Sequence, residues 1–484
     1  MHDQPGDGSP RRRGRLSPQP SALSTVLAIA AGKAAQVASR RLGRGGGTSL
    51  PGIVAGALDP GLLARLAARL EAGCVLVAGT NGKTTTARML ADMLARGGVP
   101  VVHNRSGANL LSGMTATFVG AASLGGHLRA RIGVLESDEF ALPAAVAQLR
   151  PRLVILGNLF RDQLDRYGEL DAVAGAWQRA LATLPATATV LLNADDPALP
   201  VLAAATPARR VCYGVDDPAH RLAALPHAAD AAYCRRCGAS LAYRAAYLAH
   251  LGDYACPRCG LSRPPLDLAA TAVTLDGLRG LRARLVHAGG ALDVAAAVPG
   301  FYNVYNVLAA TAAARLLALP DAVITAALAD FRAPFGRVER VRYRDRDLLL
   351  LLAKNPVGFN EVLRMLGTVA PAERGPLLLV INDLTADGRD ISWLWDVDFE
   401  LLAGWPAPLV TAGLRADDMA LRLKYAGCPP DQLTARHDIR AALDATVELT
   451  PPGRTAAVLL TYTALLQTRQ LLTDRGAVGA FWQQ

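Results

Sequence analysis

The run Gly79-Thr80-Asn81-Gly82-Lys83-Thr84-Thr85-Thr86 holds residue types that grip phosphate. It follows the apolar stretch Cys74-Val75-Leu76-Val77-Ala78 and precedes a helix-compatible run from Ala87 to Ala95. That order reads as strand, tight loop and helix, the geometry in which backbone N–H groups and a helix N-terminus face an anion. Lys83 would reach the outer phosphates, and the Thr84 hydroxyl would complete the shell of a Mg²⁺ ion. Gly79, Thr80, Asn81, Gly82 and Thr85 complete the candidate phosphate-binding set. An ordinary glycine-rich turn is the plain alternative, and the flanking strand and helix weigh against it. The loop departs from G-x-x-x-x-G-K-[ST], because Val77 stands where the first glycine belongs.

Of the 51 Lys and Arg residues only four are lysines: Lys33, Lys83, Lys354 and Lys424. A lysine kept against that bias suits a compact point charge, as Lys83 would be. Lys354 invites the same question, with chance retention as the alternative.

Four of the seven cysteines fall into Cys234-x2-Cys237 and Cys256-x2-Cys259, separated by 18 residues. Each pair presents two thiolates to one tetrahedral ion, the pattern of a zinc ribbon. Four sulfurs close the shell, so the Zn²⁺ would be structural. Cys74, Cys212 and Cys428 stand alone and read as packing residues. Glu136, in Leu135-Glu136-Ser137-Asp138-Glu139, ends an apolar run and is a candidate Mg²⁺ ligand; a solvated acidic turn is the alternative.

At 484 residues the chain has room for two or three domains. Residues 1–44 carry eight Lys and Arg against two Asp, +6 of the net +10, so the basicity is concentrated in a tail and first helix. That distribution, with 5% aromatics and no helicase-like motif behind the loop, argues against a nucleic-acid-binding ATPase. The tail suits a peripheral contact with anionic headgroups at the inner membrane face, and equally a solvated extension. No apolar run reaches membrane-spanning length, and the N-terminus lacks the apolar core of a signal peptide, so a cytoplasmic protein is expected.

Residues 1–20 read as disordered, Ala22 to Arg41 as a helix, and Pro51-Gly52 as a turn. From Leu76, β-type runs (Val99–Val102, Ile132–Leu135, Leu153–Leu156, Thr189–Leu192, Arg210–Tyr213) alternate with helical stretches, which predicts an α/β domain with a mostly parallel sheet. The cysteine module, 233–263, interrupts it; Leu266 to Val298 suggests short strands and Asn303 to Leu317 a helix. A second alternation has strands at Leu348–Leu352, Leu377–Ile381, Leu409–Thr411 and Ala457–Leu460. The expected division is 1–44, 45–335 and 336–484, with the boundary at Ala333-Pro334-Phe335-Gly336.

GTNGKTT resembles the loop of the Mur ligase and folylpolyglutamate synthetase superfamily, whose members form acyl phosphates and join them to amines. Further segments follow in that superfamily's order. Asn158-Leu159-Phe160-Arg161-Asp162-Gln163-Leu164-Asp165 resembles N-x-x-x-D-H-L-D, with Gln163 where a metal-binding His is usual; an amide oxygen can still ligate Mg²⁺. Leu192-Asn193-Ala194-Asp195-Asp196 resembles L-N-x-D-D. Gly300-Phe301-Tyr302-Asn303-Val304-Tyr305-Asn306 resembles G-x-H-N-x-x-N, which makes Asn306 the adenine-reading residue by resemblance. Phe335-Gly336-Arg337-Val338-Glu339 resembles P-G-R-x-E, which brings Arg337 to the phosphates. About 78 residues before the loop leave little room for a UDP-binding domain, so a different substrate handle is expected.

Lys354-Asn355-Pro356-Val357-Gly358-Phe359-Asn360 replaces the D-Y-A-H-N-P of most Mur ligases. With the four cysteines and Asn382-Asp383-Leu384-Thr385-Ala386-Asp387-Gly388-Arg389-Asp390-Ile391-Ser392-Trp393-Leu394-Trp395-Asp396, it is similar to the MurT family, the synthetase subunits of lipid II isoglutaminyl synthases. The resemblance implies ATP-dependent amidation of the α-carboxylate of D-glutamate in the stem peptide of lipid II. It implies a partner too, a class I-type (GatD-like) glutamine amidotransferase that supplies ammonia, because no cysteine here stands in a nucleophile motif. An Asp of the family's synthetase subunit completes the partner's Cys–His pair; Asp396 takes that role here, with Asp390 and Asp398 as rivals. The competing reading is a stand-alone ligase of Mur or folylpolyglutamate type that adds an amino acid.

Overall fold

The strand Cys74–Ala78 is buried along its whole length, and its alternating side chains feed two different cores. Val75 and Val77 pack with Met89, Leu90 and Met93 of the helix Lys83–Arg96, whereas Cys74, Leu76 and Ala78 join Phe118 and Trp177 on the opposite face. A strand apolar on both sides requires cover on both sides, which is the condition of a parallel sheet in an α/β layer. The computed structural model describes residues 22–41, 49–104, 108–161, 170–332 and 338–479. Within them this sheet has nine strands, in the order Gly290–Ala296, Gly280–His287, Leu268–Asp276, Arg209–Val215, Thr189–Asn193, Leu153–Leu156, Cys74–Ala78, Ile132–Glu136 and Val101–His103. From Leu268–Asp276 to Val101–His103 all neighbours pair parallel. The last two strands before Asn303 pair antiparallel, so the segment read as short strands is a meander of nine, eight and seven residues.

A second, six-stranded sheet runs Glu339–Tyr343, Arg346–Leu352, Thr455–Leu460, Arg374–Val380, Leu409–Ala412 and Leu433–Arg436. It too is buried on both faces, Leu349 and Leu351 entering one core and Leu348 and Leu350 the other. Between the cysteine pairs, Ala242–Leu248 and Leu251–Ala255 form a separate hairpin. Chain 333–337, which includes the expected domain boundary and Arg337, lies outside the described residues, as do Gln163 and the tail.

Helix Ala22–Arg41 forms as expected. Pro51-Gly52 is not a turn but the first turn of a helix, Leu50–Leu58. Proline fits there because a first-turn N–H needs no intrahelical acceptor. Gly52 fits because the helix Leu111–Ala121 passes so close that a Cβ would meet the Ser112 carbonyl at 1.7 Å. Among the described residues no helix is long and apolar enough to cross a membrane.

Candidate active site

The loop between Cys74–Ala78 and Lys83–Arg96 takes its shape from two glycines and one asparagine. Gly79 has φ 150°, Gly82 has φ 84°, and a Cβ on Gly82 would lie 2.1 Å from Asn306 Oδ1. Asn158, just past the end of the neighbouring strand Leu153–Leu156, fastens the loop: its Oδ1 accepts from Asn81 N at 2.8 Å and its Nδ2 donates to Asn81 O at 3.1 Å. Thr80 Oγ1 donates to Phe160 O at 3.1 Å and accepts from Phe160 N at 3.0 Å. The helix then begins without a side-chain cap, so its N-terminal dipole faces the loop.

Lys83 is buried, its Nζ donating to Gly79 O (2.6 Å), Thr80 O (3.1 Å) and Glu139 Oε1 (3.0 Å). Thr84 Oγ1 donates to Glu136 Oε2 at 2.8 Å. Glu136 ends the buried strand Ile132–Glu136, and its backbone is clamped by Asn104 through two bonds of 2.9 and 3.0 Å. Two oxygens bound side by side to one Mg²⁺ at about 2.1 Å lie about 3.0 Å apart, so this pair fits a shared octahedral ion. A small cleft opens beside the loop, lined by Gly82, Lys83, Thr86, Tyr305 and Asn306 among others.

Asn306 lies on the helix Tyr302–Leu316 and is buried against the loop. Its Oδ1 accepts from Thr86 Oγ1 at 3.2 Å, and its Nδ2 donates to Asn303 Oδ1 at 2.8 Å. The loop also touches the second sheet domain: Asn355 Nδ2 donates to Asn81 Oδ1 at 3.0 Å, and Asn355 caps the helix Pro356–Gly367 by accepting from Gly358 N. Asp195 serves the frame instead of the loop, accepting from Arg263 (3.1 Å), Val215 N (2.9 Å) and Tyr305 Oη (2.8 Å). Burial pushes its carboxyl up to about 6, with Arg263 and these hydrogen bonds opposing.

The four cysteines converge. Cys234 and Cys259 place their sulfurs 3.6 Å apart, Cys237 and Cys256 3.5 Å, and all four lie within 4.8 Å of one another. A tetrahedron with bonds of about 2.3 Å has edges of about 3.8 Å, so the donor set fits one zinc-sized ion. Each knuckle ends on a glycine of positive φ, Gly238 at 75° and Gly260 at 73°, which lets the backbone turn back over the sulfurs. Cys74, Cys212 and Cys428 are buried apart from this cluster, and burial pushes the Cys74 thiol up to about 12.

Residues 77–236 match the Mur ligase middle domain and residues 352–465 match the MurT ligase C-terminal domain. The chain is 36% identical over 457 residues to "Lipid II isoglutaminyl synthase (glutamine-hydrolyzing) subunit MurT" of Streptococcus pneumoniae, covering 94% of this chain and 98% of that one. The chain belongs to the MurT family. The Staphylococcus aureus MurT is 32% identical, covering 82% and 87% of the two chains. Among solved structures, the pseudomurein peptide ligase type C of Methanothermus fervidus shares the fold, with a TM-score of 0.64 at 20% identity over 84% of this chain and 79% of that one.

Within the segment matched by the MurT C-terminal model, the three candidate aspartates have different surroundings. Asp390 turns back on Ser392 N at 2.8 Å. Asp398 accepts from Asn360 Nδ2 (2.9 Å) and lies 2.9 Å from His227 Nδ1. Asp396 ends the 3₁₀ turn Ser392–Asp396, half-buried, 3.3 Å from Arg161. Arg161 in turn pairs with the buried Asp230. Arg422, buried beneath this turn, donates to Leu394 O (3.2 Å) and Val397 O (2.7 Å) and lies against the Trp395 ring. The Lys83 partner Glu139, the bridge from Asn355, and Arg161 and Arg422 were not singled out by sequence. Glu139 and Asn355 stand inside the motifs that were, whereas Arg422 carries no local signal.

Proposed function

We propose that this chain is the ATP-using subunit of a lipid II isoglutaminyl synthase. It phosphorylates the α-carboxylate of D-glutamate in the stem peptide, and ammonia then displaces phosphate from the acyl phosphate to leave D-isoglutamine. The observation that carries this reading is near end-to-end similarity to MurT from Streptococcus pneumoniae, in a chain whose phosphate loop is structurally complete.

In this reading Gly79, Thr80, Asn81, Gly82, Thr84 and Thr85 line the phosphates, and Lys83 leaves Glu139 to meet the charge that develops on the transferring phosphoryl group. Thr84 and Glu136 would hold Mg²⁺, which supplies charge neutralisation when bound. Asn306, bonded to Thr86 and Asn303, is the candidate adenine-reading residue, and Arg337 is the candidate for the phosphates. Cys234, Cys237, Cys256 and Cys259 would hold a structural Zn²⁺. The working units are a tail and first helix (1–44), an ATPase domain with the cysteine module (45–335) and a C-terminal domain (336–484).

Ammonia comes from a GatD-like glutaminase. Asp396 orients its His, the role most compatible with a half-buried carboxylate whose rivals are tied to Ser392, Asn360 and His227. Exposed Trp395, Tyr425 and Leu401 offer the partner apolar contacts on the same domain. A reaction that consumes ATP belongs on the cytoplasmic side. The test is ADP release and product mass with lipid II, ATP, Mg²⁺ and ammonium. Amidated product supports the proposal; incorporation of an amino acid, or no ADP, overturns it.

A further inference from the structure

The first two described helices leave more large apolar side chains outside than inside. A helix on a globular surface ordinarily turns its apolar stripe to the core. In Ala22–Arg41 the buried side chains are Thr25, Ala28, Ile29 and Ser39, with Ile29 the one large apolar residue among them, whereas Leu23, Leu27 and Val37 are 66%, 56% and 51% exposed. In Leu50–Leu58 the buried positions are Pro51, Gly52 and Ala55, and Leu50, Ile53 and Leu58 are 46%, 56% and 57% exposed. The small inward residues let the backbones approach closely: a Cβ on Gly32 would lie 3.0 Å from Pro51 O, and one on Gly52 would lie 1.7 Å from Ser112 O. Six large apolar side chains are left facing outward on one packed helix pair.

The charge of the surrounding sequence is one-sided. No Asp or Glu stands between Asp7 and Asp59, and eight Lys and Arg do. Residues 1–21 contain only Met1 and Leu16 as large aliphatic side chains, too few to cover six. An apolar stripe flanked by basic residues alone is the composition of a helix lying in a membrane interface. Neither helix can span a bilayer.

We propose that the outward faces of Ala22–Arg41 and Leu50–Leu58 dock on an anionic phospholipid bilayer, with Leu27 and Ile53 entering the acyl boundary. The inward side of the second helix is linked to the strand end at Glu136 through a short chain of contacts. Gly52 packs on Ser112, and Asn109 O, three residues earlier, accepts from Asp138 N, two residues beyond Glu136.

The test is sedimentation of the full chain with phosphatidylglycerol vesicles, phosphatidylcholine vesicles, or none. Binding to the anionic vesicles should fall at least tenfold in Leu27→Glu/Ile53→Glu, whose melting is checked against the parent. Leu27→Trp should gain fluorescence quenching by bromine-labelled acyl chains over the parent. No sedimentation with anionic vesicles overturns the proposal. Full binding by the double Glu variant, lost only when Arg11, Arg12, Arg13 and Arg15 become Ala, overturns the face and leaves the tail. A dimer that the double variant dissociates, without lipid binding, assigns the face to a second copy and also overturns it. The assay uses neither ATP nor lipid II, so its failure leaves the amidation reading standing, and the converse holds.

Discussion

The Lys83 ammonium holds three protein oxygens, so a triphosphate entering the loop must replace them. Lys83→Ala should abolish ADP release, and it should also destabilise, because Glu139 is left buried without its cation. The expected cost is about 3 kcal/mol. Adding Glu139→Gln should restore most of the melting temperature and none of the turnover. Normal turnover in either variant would remove Lys83 from the phosphate site. Asp396→Asn should keep ammonium-driven amidation and lose glutamine-driven amidation on the order of 10³–10⁴-fold, the scale of an Asp that orients a catalytic His. Equal loss with both nitrogen sources would move Asp396 into the synthetase site. Asp195 gives a pH signature. Its folded value of about 6 lies above the ordinary carboxyl range, so its contribution to stability is complete near pH 4 and is lost as pH rises through 6. Relative to Asp195→Asn, the parent should gain on the order of 3 kcal/mol as pH falls from 7 to 4. A pH-independent difference in melting would contradict the assigned burial.

At the scale of elements, two glycines of one helix separate packing from propensity. Gly52→Ala drives a methyl into the Ser112 carbonyl and should lose about 1–3 kcal/mol. Gly56→Ala has open space and should be neutral or gain up to about 1 kcal/mol. Chemical denaturation of both variants checks the contrast; the same sign for both would refute the close approach. Cys237→Ser should lower zinc content and melting temperature together, since a closed thiolate site contributes folding free energy directly. The elements were legible where one rule governed them. Leu153–Leu156 is an apolar run, and Ala22–Arg41 an unbroken helix-compatible one. The rule failed at Pro51-Gly52, whose turn chemistry was overridden by a neighbour 60 residues away. The loop motif exposed Lys83 and Thr84 because phosphate binding is local in sequence. Glu139, Asn355 and Arg422 act through contacts 56, 274 and 25–28 residues distant, which no local pattern encodes.

The second sheet domain meets the rest of the chain at polar contacts, among them Asn355 with Asn81, Asp396 with Arg161 and Arg364 with Tyr247 O of the hairpin, and at two apolar ones made by Val357 and Leu278. An interface of this kind favours relative motion over a rigid seam. Asn355→Ala removes one contact and the cap of Pro356–Gly367, so it should cost about 1 kcal/mol and raise the KM for ATP. An unchanged KM would show that the bridge does not bear on the loop.

The route from the cysteine knuckle to Asp396 has only a few links. The ribbon's Tyr243 hydroxyl donates to Ala231 O, the adjacent Asp230 pairs with Arg161, and Arg161 reaches Asp396. An exposed ion pair such as the last is worth under about 1 kcal/mol, enough to bias a side chain's direction and too little to hold a domain. Metal scarcity would then be felt as a change of nitrogen diet. A cell deprived of zinc should lose glutamine-fed wall amidation at a chelator dose that still permits amidation from external ammonium. Parallel decline of the two would mean that the ribbon serves stability alone.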